Sequence, residues 1–179
     1  MIAYLDMHLL DLFQNALASG ASEIDVLVQR ETACDRLTLA VSDNGGGMDE
    51  EKLQAVERGL FSAKGAGHAG LGIPFLKQTA EHCAGAFRIE SHRGRGTTVT
   101  ASFRLGHIDL PAFDDLVETL VVMLVTNDGR RVCIRYESDE SSFRVDTEVL
   151  AEYLDGLPAG DPDVIGFLRA YIGERIGVQ

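Results

Sequence analysis

The stretch Val41–Glu51, VSDNGGGMDEE, decides how this chain is read. It follows Arg36–Ser42, RLTLAVS, whose alternating apolar residues describe a half-buried strand. It leads into MDEEKLQAVE, a helix with Asp49, Glu50 and Glu51 at its start, where the helix dipole favours negative charge. A strand ending in an aspartate, an asparagine and three glycines is by itself no more than a flexible turn, because Asn-Gly and Gly-Gly pairs mark turns in any protein. Its meaning depends on the segments placed around it.

Upstream, Leu5, Leu9, Leu12, Phe13 and Ala16 recur at helical spacing and predict a first helix with one core face. Ile24, Val26 and Val28 alternate in a strand expected to pair antiparallel with RLTLAVS. Downstream, FSAKGAGHAGLG is too glycine-rich for regular structure, and IPFLKQTAEHCAG predicts a helix with Pro74 in its first turn and Gly85 at its C-cap. AFRIES and TTVTASFRL form a hairpin across HRGRG. The order helix, two strands, helix, loop, helix, two strands predicts an α/β sandwich rather than a parallel βαβ winding. After Gly106 the character changes: a helix apolar nearly all round in LPAFDDLVETLVVMLVTN, a hairpin from RRVCIRYE and SFRVDT, and two terminal helices, the last capped by Asp161 with Pro162 in its first turn. The expected division is residues 1–106 as one domain and 107–179 as a small α+β extension.

Asp and Glu outnumber Lys and Arg by 28 to 16, a formal net charge of −12, which disfavours nucleic acid and anionic membranes as partners. Cys34, Cys83 and Cys133 are widely spaced without a CxxC pair, so neither a disulfide framework nor a zinc site is expected. MIAYLDMHLLDLF carries no basic leader and no apolar run is long enough to span a bilayer; the expected location is cytoplasmic.

Within the first helix, His8, Asp11 and Asn15 stand at i, i+3 and i+7 in one polar stripe. The ordinary reading is a solvated face; the functional one makes Asn15 a side-chain oxygen ligand for Mg²⁺ and lets Asp11 orient a water. Asp43 at the strand end could accept from an adenine amino group, with Gly45 and Gly47 admitting close backbone approach and Met48 packing nearby. The histidines, including His8, His68 and His107, read as site-edge or surface residues. Gly65, Gly67 and Gly70 satisfy GxGxxG, with Glu90 following 20 residues after Gly70, but the preceding VERGLFSAK is charged and ends a helix, where a dinucleotide fingerprint needs a buried parallel strand. An NAD-dependent oxidoreductase therefore ranks last. The alternative is a lid, Phe61 to Ala69, ending at Gly70, Leu71 and Gly72, whose amides and following helix N-terminus meet phosphates, with Lys64 neutralising their charge.

DLFQNALASGA, DNGGGM and GLGIPFLK together resemble the asparagine box and two glycine boxes of the GHKL superfamily of gyrase-type topoisomerases, Hsp90, histidine kinases and MutL, and GRGTTVTASF resembles the Gly-Thr strand of histidine kinases. The resemblance covers roughly Leu5 to Phe103. It implies the Bergerat fold, a two-layer α/β sandwich whose mixed sheet is covered by helices, with ATP and Mg²⁺ as ligands. It implies Asn15 as the Mg²⁺ ligand, Asp43 as the adenine acceptor, Gly45, Gly47, Gly70 and Gly72 as backbone contacts, and Thr98 as a support near the base. Asp11 stands where ATP-hydrolysing members normally carry a glutamate base, and no dimerising helix with a phosphoacceptor histidine is recognised. The expectation is a stand-alone histidine kinase-like module for signal transduction, transferring a γ-phosphoryl group to a partner protein or to water. A nucleotide-gated regulatory protein with anti-sigma-like logic and little turnover is the alternative.

Overall fold

Leu5, Leu9, Leu12, Phe13 and Ala16 are all buried along one side of α1 (Leu5–Ala18), the apolar stripe expected from their spacing. This stripe lies on a sheet whose core-facing residues alternate: Ile24, Val26 and Val28 on β1 (Glu23–Glu31), Leu37, Leu39 and Val41 on β2 (Arg36–Asp43). Burying each such side chain is worth about 1.5–3 kcal/mol, which locks the register, because a one-residue slip would turn the whole set to solvent. The computed structural model describes residues 4–58, 72–154 and 156–177.

After β2 come α2 (Glu50–Glu57), capped by the Asp49 carboxylate accepting from Lys52 N–H, and α3 (Gly72–His82). The hairpin β3 (Ala86–His92) and β4 (Gly96–Arg104) pairs antiparallel, and β4 pairs with β2. One six-stranded mixed sheet results, in the order β3-β4-β2-β1-β5-β6. β5 (Arg131–Glu137) runs parallel to β1, and β6 (Ser142–Asp146) closes the edge antiparallel to β5. α1 and α3 cover the core face, α4 (Leu116–Val125) packs on α1, β5 and α6, and α5 (Thr147–Tyr153) and α6 (Pro162–Ile176) finish the described chain. The architecture is the expected two-layer α/β sandwich, and the residues after Gly106 extend its sheet and share its hydrophobic core.

The fourth helix starts later than the run LPAFDDLVETLVVMLVTN suggests, because carboxylates capture the amides before it. The buried Asp6 on α1 accepts from Asp114 N–H (3.2 Å), Asp115 N–H (3.1 Å) and the Thr119 hydroxyl (3.5 Å), while Asp115 caps the helix through Glu118 N–H. Among the described residues, no helix is long and apolar enough to cross a membrane.

Candidate functional site

The glycine triplet is no loose turn. Asn44 folds its side chain back to accept from Ser22 N–H (2.9 Å) and Glu23 N–H (3.0 Å), tying the loop to the start of β1. Gly47 has φ +61°, and a Cβ there would stand 2.0 Å from the His92 carbonyl oxygen. Gly96 has φ +90°, and its Cβ would stand 1.8 Å from the Asp43 carbonyl oxygen. The loop after β2 and the β3–β4 turn therefore interlock backbone on backbone, a fit only glycine permits. The Gly94 N–H donates to the Gly46 carbonyl (2.7 Å) and the Met48 N–H to the Ser91 hydroxyl (2.8 Å), completing the clasp.

Beside this clasp a pocket of about 300 Å³ opens between the helix layer and the sheet. Val41 and Asp43 of β2 with Thr97 and Val99 of β4 form its floor; Leu12, Asn15 and Ala16 of α1 with Ser19 at its C-cap form one wall; Met48, Lys52, Val56 and Ile73 form the other. Asp43 Oδ1 accepts the Gly45 N–H (2.8 Å) and lies 3.1 Å from the Ser19 hydroxyl, whose proton is shared with the Ala16 carbonyl at 2.7 Å. Oδ2 has no hydrogen-bond partner among the described residues. The carboxylate is thus held through Oδ1 at the floor of a largely apolar cavity, where a free acceptor oxygen would suit a ligand N–H. Gly45 is buried behind it: a Cβ there would meet the Ser19 hydroxyl at 1.9 Å and Asp43 Oδ1 at 2.9 Å.

The structure brings Asn15, Asp43, Gly47 and Met48 to one cavity. Thr98 is corrected: it points to the opposite face of the sheet, where its hydroxyl lies 2.8 Å from that of Ser42. The two-residue period of a strand puts Thr97 in the pocket instead, its hydroxyl 2.8 Å from that of the buried Ser91. Asp11 stands one turn before Asn15, half-buried against the start of α3; a Cβ on Gly72 would meet its Oδ2 at 2.8 Å, and burial pushes its carboxyl above the usual range. Lys64, Gly70 and Leu71, with the expected lid, lie outside the described residues. Ser19, Lys52, Ile73 and Thr97 were not singled out in the sequence; only Thr97 had a signal, its place directly after Gly96 in the closing strand.

The polar stripe on α1 is also corrected. Asn15 is exposed and faces the pocket, but His8 is only 1% exposed because α3 packs over that side of α1. Burial lowers the His8 pKa from 6.5 to about 4. The Thr79 hydroxyl spends its proton on the Phe75 carbonyl (2.9 Å) and so accepts from His8 Nε2–H (3.4 Å), leaving Nδ1 buried without a partner among the described residues. Neutral imidazole is the form that fits.

Known proteins match the same part of the chain. The family described as histidine kinase-, DNA gyrase B-, and HSP90-like ATPase matches residues 4–107. The sensor histidine kinase ZraS of Klebsiella oxytoca is 36% identical over 93 residues, covering 51% of this chain and 20% of its own. The sensor protein kinase FleS of Pseudomonas aeruginosa is 36% identical over 91 residues, covering 51% and 22%. The chain thus spans about a fifth of the length of the curated relatives it matches. Among solved structures, the Aquifex aeolicus MutL ATPase domain complexed with ADP superposes with a TM-score of 0.55 at 14% identity, covering 87% of this chain and 70% of that one, a likeness of fold. With the family pattern spanning more than half its length, the chain belongs to the histidine kinase-, DNA gyrase B- and HSP90-like ATPases.

Proposed function

We propose that this chain binds Mg·ATP in the pocket beside Asp43 and transfers the γ-phosphoryl group to a partner protein or to water. The carrying observation is the Asp43 carboxylate on the floor of the cavity, its Oδ1 held by Gly45 and Ser19 and its Oδ2 without a hydrogen-bond partner among the described residues. Adenine would lie between the apolar side chains of Leu12, Ala16, Met48 and Val99 and donate its amino group to Asp43. Thr97 would support the base from the floor. Asn15, exposed at the pocket's edge, offers one neutral oxygen, which suits a cation that keeps most of its waters and takes its other ligands from phosphates. No cluster of three or more His, Cys, Asp or Glu that could hold a metal alone occurs among the described residues, in keeping with that division of ligands. Bound Mg²⁺ would neutralise phosphate charge during transfer. Gly72 and the N-terminus of α3, with Lys64, Gly70 and Leu71, would meet the phosphates, and Asp11 would orient the attacking group. The histidine kinase relatives support a protein acceptor.

Calorimetric titration with ATP, with and without Mg²⁺, tests the pocket. Asp43→Asn keeps an oxygen for Gly45 and Ser19 but turns an NH₂ toward the adenine amino group, donor against donor. Affinity is expected to fall by roughly 10- to 100-fold with circular dichroism unchanged, since a hydrogen bond to a charged acceptor is worth about 1.5–3 kcal/mol. Unchanged affinity would overturn the assignment. Following γ-labelled ATP separates transfer from gating: nucleotide recovered intact with and without added partner would favour the anti-sigma-like reading, and preferential NADH binding would revive the oxidoreductase.

A further inference from the structure

We infer that the groove between α5 and α6 docks a cationic amphipathic segment of a partner protein. This is a second site, remote in sequence from the nucleotide boxes. The groove measures about 330 Å³ and is bordered by Val145 on the edge strand β6 between the paired Arg144 and Asp146, by Val149, Leu150 and Tyr153 on α5, and by Phe167 and Tyr171 on α6. Three of these are unusually exposed for large apolar side chains: Val149 at 49%, Tyr153 at 81% and Phe167 at 58%. Such gatherings mark interaction surfaces. The wall is already rigid, because Phe167 stacks on Tyr171 (5.9 Å between centroids) and Tyr171 meets Phe143 edge-on (6.2 Å).

Charge selects the occupant. Asp163, Phe167, Tyr171 and Glu174 fall at i, i+4, i+8 and i+11 on α6, so an exposed carboxylate brackets the aromatic pair at each end, and the exposed Glu152 flanks Tyr153 on α5. Arg144, which lines the groove, is paired there with Asp146 at 3.0 Å and also donates to Cys133, and the neighbouring cations are engaged, Arg169 with Glu118 and Arg175 over the Tyr171 ring at 3.6 Å. Residues 107–179 hold fifteen Asp and Glu against six Lys and Arg, so nine of the twelve net negative charges lie in this part. A second copy would bring the same acidic rim, and nucleic acid or anionic lipid would be repelled as well. An apolar stripe flanked by Lys or Arg answers both the groove and its rim, the mode in which an amphipathic helix lies in a hydrophobic groove.

Fluorescence anisotropy with the full chain tests this. The probes are a labelled helical peptide of Leu, Ala and Lys with one apolar stripe, its counterpart with Glu for Lys, and a Lys peptide of the same composition with the stripe scrambled. The protein is compared with Y153S/F167S, which leaves every charge in place and removes only exposed rings; circular dichroism and the thermal midpoint verify its fold. The striped Lys peptide is expected to bind at least about tenfold more tightly than either control, and the double variant to lose at least about tenfold for that peptide alone. Equal binding by the double variant would reduce the effect to general charge attraction and overturn the proposal. Equal binding of the Glu peptide, or sedimentation showing that wild type dimerises while the double variant is monomeric, would overturn it too.

Discussion

What distinguishes Asp43 is what stands behind it. A carboxylate at a strand end would rotate freely in water; here the Gly45 amide and the Ser19 hydroxyl hold Oδ1 in place. His8 shows the opposite case, a titratable group kept silent by burial. Its folded pKa of about 4 lies below the ordinary 6.5, so the unfolded chain binds the extra proton first. Protonation of the unfolded chain at His8 therefore costs little stability above about pH 6.5, and stability falls as pH drops from there toward 4. Over that window the loss reaches at most about 3 kcal/mol. Urea unfolding of wild type and His8→Leu between pH 7 and 4 should give a steeper acid decline for wild type; parallel curves would mean that His8 does not titrate as described.

Among the elements, the joint between the β2 exit and the β3–β4 turn bears most on the site. Gly47 combines a left-handed φ with a neighbour that is backbone, so a methyl group there cannot be accommodated by rotating a side chain. Gly47→Ala should prise the two loops apart, with a loss of several kcal/mol, about 3 or more, readable as a lowered urea midpoint. Gly94→Ala, across the joint in the β3–β4 turn, with φ +75° but open space at Cβ, carries the dihedral cost alone and should lose far less. Equal losses would mean that left-handed backbone, not the interlock, is what glycine serves at position 47.

For the whole molecule, the C-terminal part is built into the ATPase domain's sheet. β5 pairs with β1 along Glu23 to Gln29, and α4 adds Leu120, Met123 and Leu124 to the core that α1 lines. Ending the chain after Gly106 would strip β1 of its neighbour and uncover Ile24, Val26 and Val28 beside an open edge, a template for aggregation. Residues 1–106 expressed alone are expected to be insoluble or molten, with weak near-ultraviolet dichroism. A soluble fragment with a cooperative melt near that of the full chain would show that the added strands and helices are dispensable for folding.

What the chain declared by itself was local. Asn15, Asp43, Gly45, Gly47 and Met48 sit in short motifs whose spacing is set by one helix and one turn, and the apolar periods of α1, β1 and β2 are fixed by 3.6- and 2-residue repeats. The order of elements followed from those repeats and their caps, down to Asp161 before α6. The rest required pieces distant in sequence to meet. Thr97 rather than Thr98 enters the pocket because the β2–β4 register sets Thr97 opposite Asp43 and Thr98 opposite Ser42. His8 is buried because α3, more than sixty residues later, covers it, and Asp6 is a structural acceptor because residues 114–119 return to it. Ser19 becomes the partner of Asp43 only when the end of α1 closes on the end of β2. Periodicity dictates which face of an element is apolar; which neighbour that face meets depends on long-range packing, and there the pocket and the acidic groove were decided.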